Sequence, residues 1–267
     1  MAHDNRIRGR ALGIGMGALA LALLSGPAIA TANAAPAALN PGIAPGGNFN
    51  LSVWELQEPT GSAGDPNTIS SAKLQGSSGY QDSYFFTNKT DGSMSFWDPE
   101  NGVTTPNSNY ARSELREMNS SGSAAAWSLP GTHTLSATLK VTQVPDHVCV
   151  GQVHIADGEN STKPLAELYY HSNGQIAIAI ENSPTGGQTA HNLTTVSLGT
   201  QWSYVIQITG GNTISVTING TKHSYAIPSS FDSYKQYFKA GDYDQSSGSS
   251  STVGAKVQFY ALTVKHS

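Results

Sequence analysis

Short runs of alternating apolar and polar residues, each bounded by turn residues, dominate the chain from Phe49 onward, and long stretches of helical period are missing. His133 to Val141 puts Leu135, Ala137, Leu139 and Val141 on one side and Thr134, Ser136, Thr138 and Lys140 on the other. Gln175 to Glu181 aligns Ile176, Ile178 and Ile180, and Trp202 to Ile208 aligns Trp202, Tyr204, Ile206 and Ile208. Thr213 to Ile218 aligns Ile214, Val216 and Ile218, and the Asn219-Gly220 pair that follows is a strong hairpin signal. Each predicts a strand with one apolar face, as in antiparallel sandwiches. Lys256 to Val264 is less one-sided. Val257, Phe259 and Ala261 share one face and Tyr260, Leu262 and Val264 the other, which suggests cover on both. Turn pairs at Asn173-Gly174, Gly186-Gly187, Gly210-Gly211 and Asn219-Gly220 suit a meander or jelly roll. The Ser/Gly run from Ser246 to Ser251 reads as a mobile loop that can also rim a groove. Pattern alone predicts an all-β fold, an antiparallel β-sandwich.

The N-terminus reads differently. Arg6, Arg8 and Arg10 precede an apolar run from Ala11 to Leu24 and a small-residue stretch ending Ala32-Asn33-Ala34. That is the pattern of a secretory signal peptide over residues 1–34. Nothing later approaches the ~20 apolar residues of a membrane span. Residues 35–47 form a Pro/Gly/Ala linker expected to stay flexible, which leaves 48–267 as the folded domain.

Removing 34 of 267 residues leaves 233, with 11 basic and 17 acidic side chains and a net charge of −6. Such a body is a poor nucleic-acid binder, so an anionic partner would need a local basic groove. Cys149 is the only cysteine, which excludes an intramolecular disulfide. Within Val148-Cys149-Val150 it predicts a buried, inert thiol. The mature protein is expected to be a secreted, extracellular monomer without a membrane segment.

Three segments carry the chemistry: Arg112-Ser113-Glu114-Leu115-Arg116-Glu117, Gln152-Val153-His154, and Tyr237-Phe238-Lys239-Ala240-Gly241-Asp242-Tyr243-Asp244-Gln245. Strand alternation puts Arg112, Glu114 and Arg116 on one face, Gln152 and His154 on one face, and Lys239, Tyr243 and Gln245 on one face. Laid side by side, the three strands would gather all eight side chains, a set that suits an anionic substrate that must lose a proton. Tyr237 and Phe238 read as groove wall and core. Asp242 and Asp244 should face away from Tyr243, in structural or loop-facing positions.

In this order, about 40 and about 85 residues apart, the segments resemble the three signatures of polysaccharide lyase family 7, the alginate lyases. Asp242 and Asp244 stand where that family more often has uncharged residues. The resemblance implies a jelly-roll sandwich with an open groove on its concave sheet and an alginate substrate cleaved by β-elimination; the absence of metal and nucleotide signatures leads to the expectation of no cofactor and no metal. It also implies roles: Arg112 and Gln152 neutralise the C6 carboxylate, His154 is the base for guluronate, and Tyr243 is the acid, serving as base as well for mannuronate. Glu114, Arg116, Lys239, Gln245 and Tyr237 would bind substrate, Glu114 by orienting Arg112 or Arg116. Valine at 153 implies a preference for mannuronate; endolytic action is expected, though it depends on loops that close the groove ends.

The residues themselves support this chemistry. An arginine grips a carboxylate through paired hydrogen bonds. An unperturbed histidine of pKa about 6.5 is a base near neutrality, and a tyrosine of pKa about 10 is an acid unless nearby positive charge from Lys239 or Arg112 acidifies it. A retaining glycosidase would need two carboxyl groups about 5–5.5 Å apart, yet Glu114 and Glu117 fall on opposite strand faces. No zinc-type spacing, phosphate loop or nucleophile elbow is present. Two alternatives stay open on sequence: a carbohydrate-binding sandwich without catalysis, and a lyase for another polyuronate such as glucuronan.

Overall fold

The computed structural model describes Met1 and residues 38–267, so the expected signal peptide and the start of the linker lie outside the described residues. Two antiparallel sheets pack face to face. One runs in the order β10 (Gln188–Thr195), β9 (Gln175–Glu181), β8 (Pro164–His171), β7 (His147–Ile155), β14 (Gln236–Asp244), β5 (Ser113–Glu117), β1 (Trp54–Ser62) and β2 (Asp65–Ile69). The other runs β13 (Thr221–Ala226), β12 (Thr213–Ile218), β11 (Trp202–Thr209), β6 (Thr132–Gln143), β15 (Gly254–His266), β4 (Met94–Pro99) and β3 (Phe85–Thr87). This is the expected jelly-roll sandwich.

Alternation explains the second sheet. β6 and β11 bury every other residue, and the buried sets are those predicted from sequence. At the β12–β13 hairpin Asn219 and Gly220 both adopt positive φ, 47° and 87°, which this two-residue turn requires. The weak one-sidedness of β15 has a cause: a bulge between Phe259 and Ala261 swaps faces. Val257 and Phe259 point into the core, then Leu262 does, while Ala261 is exposed. Between the sheets Trp54, Leu56, Phe96, Phe238 and Phe259 are sealed from solvent. Each contributes about 1.5–3 kcal/mol relative to exposure.

Residues 38–47 correct the linker expectation. Ala44 and Pro45 are buried, Pro45–Asn48 forms one helical turn, and the Asn48 side-chain amide bonds the carbonyls of Asn40 and Gly92. The segment is packed on the domain because Ile43, Ala44 and Pro45 supply apolar surface that a free linker would leave in water.

The three signature strands are neighbours, in the order β7-β14-β5. Two glycines permit their close fit. A Cβ on Gly151 would lie 2.7 Å from the Tyr204 hydroxyl, which crosses from the other sheet to donate to the Val150 carbonyl at 3.0 Å. A Cβ on Gly241, at φ 153°, would lie 2.8 Å from the backbone of β5. On the core side Glu117 receives the Trp127 indole N–H at 2.9 Å and the Phe238 backbone N–H at 2.8 Å. It also meets His266 Nε2 at 2.6 Å, tying the C-terminal strand to the signature strands. His133, 6 % exposed, joins this cluster through its ring contact with His266 at 2.8 Å.

Candidate active site

A groove of about 720 Å³ crosses the outer face of the eight-stranded sheet, from Gln57 and Thr68 on β1 and β2 to Gln188 on β10. Strand pairing fixes its centre. Lys239 lies opposite both Arg116 and Gln152, and Tyr237 lies opposite His154. A bulge at Val150–Gly151 turns both of those residues inward, so Cys149 returns to the groove layer beside Tyr243. Arg112, Arg116, Gln152, His154, Tyr237, Lys239, Tyr243 and Gln245 all line the groove, as alternation predicted. The Ser246 to Ser251 run does not. It packs against Glu100, whose carboxylate accepts the Ser250 backbone N–H.

Glu114 is the hub beneath this face. It is fully buried, with Lys239 Nζ at 2.5 Å, Arg112 Nη1 at 3.6 Å and the Gln152 amide donating at 2.6 Å. It orients Arg112, but not Arg116, which pairs with Asp157 at 2.7 Å and lies 4.2 Å over the Tyr237 ring. Burial, then the Arg112 charge, pushes Lys239 down to about 8, with Glu114 opposing.

His154 Nδ1 lies 2.7 Å from the Ile155 carbonyl. A carbonyl only accepts, so Nδ1 carries the proton and the neutral ring keeps its lone pair on Nε2. Burial and the charges of Lys239, Arg112 and Arg116 push its pKa down to about 3, which keeps the imidazole neutral near pH 7. The Tyr243 hydroxyl shares a hydrogen bond with Ser108 Oγ at 2.9 Å, and the Arg112 guanidinium sits 3.9 Å from the ring centre. That cation pulls the phenol pKa down, but burial outweighs it and the net shift is upward. The acidified tyrosine considered from sequence is therefore not what the site holds. Tyr243 keeps its proton.

Cys149 is fully buried and burial pushes its thiol up, as expected for an inert cysteine. Asp242 and Asp244 turn away from Tyr243, into the structural and loop-facing positions expected. Asp242 is sealed between the sheets beside Asp98, and Asp244 accepts from the Ser246 backbone and hydroxyl. Sequence reasoning missed Ser108 and the segment from Thr105 to Ser108, which has no strand pattern to flag it. It also missed Glu167, Tyr169 and Gln188 on β8 and β10, whose polar alternation carries no motif.

A family model described as alginate lyase matches residues 49–266, nearly the whole described domain. The chain belongs to the alginate lyases of polysaccharide lyase family 7. It is therefore a polysaccharide lyase. The solved family 7 alginate lyase A1-II′, captured in complex with product (GGG), is 37 % identical, with a TM-score of 0.75 over 84 % of this chain and all of that one. An alginate lyase from Pseudomonas aeruginosa is 33 % identical, with a TM-score of 0.75 over 81 % of this chain and 99 % of its own. An alginate lyase from Klebsiella pneumoniae is 28 % identical over 84 % of this chain and 91 % of its own length. Family membership sets aside the non-catalytic reading of the sandwich.

Proposed function

We propose that this lyase works by carboxylate neutralisation and proton transfer along the β5-β14-β7 face. Arg112, Gln152 and Lys239 neutralise the C6 carboxylate of a bound uronate. His154 takes the C5 proton of guluronate, and Tyr243 donates to the departing 4-oxygen. The C5 proton is barely acidic while the carboxylate carries its charge, because removal builds a second negative charge on the same group. Preorganised donors against that charge are worth about 2.7–4 kcal/mol each. The observation that carries this reading is the tautomer of His154, with its lone pair on Nε2, in a groove where Lys239 is cationic and Tyr243 is protonated. Base, acid and neutraliser hold their working protonation states together between about pH 3 and about pH 8.

For mannuronate the C5 proton and the leaving oxygen lie on one side, so Tyr243 serves both in this reading. It must first lose its own proton, which the burial of the phenol opposes. Endolytic action is the reading for a groove that spans the sheet from β2 to β10. That A1-II′ is known with product (GGG) and with substrate (GGMG) supports an alginate chain in the corresponding place. The mannuronate preference rests on Val153 alone. It lies on the core side of β7, and one methylene there changes discrimination by about 1–3 kcal/mol at most. Secretion as a monomer rests on the leader pattern and on composition. The proposal needs no cofactor, and strong chelation should leave activity intact.

The test is Tyr243→Phe, measured on purified polymannuronate and polyguluronate by the ultraviolet absorbance of the conjugated double bond. Cleavage of both should disappear. Retained activity on both would remove Tyr243 from the mechanism.

A further inference from the structure

The groove is unevenly charged. Its centre gathers Arg112, Arg116 and Lys239, whereas toward β8 and β9 it is lined by Glu167 and Glu181, with Lys163 just before β8. Glu167 lies opposite Gln152, so Arg116, Lys239, Gln152 and Glu167 form one line across four adjacent strands. Glu167 is 8 % exposed. Its Oε2 receives the Tyr169 hydroxyl at 2.6 Å and the Gln188 amide at 2.7 Å. Its Oε1 has no protein donor, yet is not among the oxygens sealed off without a partner, so it opens onto the groove. Among the described residues no lysine, arginine or histidine nitrogen forms an ion pair with it. Two protein donors thus hold a carboxyl group with one acceptor oxygen presented to the ligand. Burial raises its pKa, and the bonds from Tyr169 and Gln188 pull it back.

A 4-linked uronate offers this position a carboxylate or a secondary hydroxyl. The carboxylate would meet a Glu167 that has no cation paired with it. The hydroxyl can donate to Oε1, and a hydrogen bond to a charged acceptor is stronger than a neutral one. We propose that Glu167 is a specificity-determining residue. It accepts a hydrogen bond from a secondary hydroxyl of the uronate beside the one gripped at Arg112, and it turns that neighbour's carboxylate away from the β8–β9 end. The inference rests on the proposed carboxylate grip by Arg112 and Gln152, of which Gln152 is one strand away on β7. It adds a polarity rule: this neighbouring subsite reads hydroxyls and needs no carboxylate.

The test is Glu167→Gln, which keeps an acceptor for Tyr169 and Gln188 but removes the charge and turns an amide N–H₂ toward the groove. On unmodified polymannuronate KM should rise about tenfold with kcat within about twofold, at low and at high salt alike. If Glu167 only repels the polymer, KM falls instead and the gain fades with added salt. If KM is unchanged, or kcat alone drops, Glu167 is structural or acts through Gln152. Each of these results overturns the proposal. A second arm uses polymannuronate O-acetylated on its secondary hydroxyls, which has lost the donor. Wild type should discriminate against it about tenfold in kcat/KM, and Glu167→Ala by no more than about threefold. Equal discrimination by both overturns the proposal. Should neither Glu167 variant fold, Tyr169→Phe loosens the same carboxyl group and should raise KM in the same direction, and an unchanged KM there counts against it. Arg112→Ala, run alongside, separates the two readings. Retained turnover in that variant sinks the carboxylate grip, whereas an unaltered Glu167 variant sinks only the hydroxyl acceptor.

Discussion

Replacing Glu114 by glutamine removes a negative charge from beneath the groove and keeps the side chain's shape. In the native site this one sealed carboxylate faces Lys239 Nζ at 2.5 Å and Arg112 Nη1 at 3.6 Å. Without it, two buried cations face each other. Breaking a buried ion pair by removing one partner costs about 3–5 kcal/mol of stability. The protein can reduce that cost by releasing the Lys239 proton. Lys239 is already lowered from 10.5 to about 8 by burial and by Arg112, and Glu114 is the main group opposing that fall. The sign follows. Between about pH 8 and 10.5 the unfolded chain holds a proton on Lys239 that the folded protein has lost, so stability from this group rises with pH across that window. In Glu114→Gln the window opens at lower pH, and each further unit of depression corresponds to about 1.4 kcal/mol. Activity moves the other way, because only cationic Lys239 neutralises a carboxylate. Wild-type kcat/KM should fall as pH rises through about 8, and in the variant this limb should move down by about one unit or more. The assay is kcat/KM on mixed alginate across that range, with urea unfolding at each pH. An alkaline limb that stays at about 8 in Glu114→Gln would refute the reasoning.

The buried carboxyl groups of Asp98 and Asp242, with three oxygens lacking a partner, have pKa values raised mainly by burial. The folded state therefore holds protons that the unfolded chain releases in the ordinary carboxylate range. Stability from the pair is full at low pH and is lost as pH rises toward the folded-state pKa. Asp242→Asn should flatten that slope in urea titrations, and an unchanged slope would contradict the assignment. Gly151→Ala should cost about 1–3 kcal/mol by forcing a methyl group against the Tyr204 hydroxyl, and an unmoved urea midpoint would show that the sheets can part there. Ser108→Ala should lower kcat by up to about tenfold with KM unchanged, since it removes one hydrogen bond from the Tyr243 phenol; a changed KM alone would place Ser108 in substrate binding instead.

The sandwich was legible because its second sheet is half-exposed, so β6, β11 and β12 declare their buried faces by period-two alternation. β14 and β7 are buried on both faces and give no such signal. They were found through Lys239, Tyr243, Gln152 and His154, whose chemistry survives where alternation fails. The bulges in β15 and β7 were not legible, since each inserts a face change that a fixed period hides. Glu114 was foreseen as an orienting group for an arginine, but its contact with Lys239 depends on β14 lying beside β5, a long-range pairing. The fate of Asp242 shows the same limit. Alternation gave its direction, while its burial beside Asp98 comes from packing against the second sheet. Ser108 and Glu167 lie in or beside segments without a motif, and only the folded groove reveals them.

The assignment of His154 as the base that removes the C5 proton is tested most directly by His154→Ala on purified polyguluronate and polymannuronate, with initial rates read from the ultraviolet absorbance of the unsaturated product. The account predicts loss of polyguluronate cleavage and measurable cleavage of polymannuronate, where Tyr243 stands on the same side as both the proton and the leaving oxygen. Polyguluronate cleavage at a near wild-type rate in His154→Ala would contradict it.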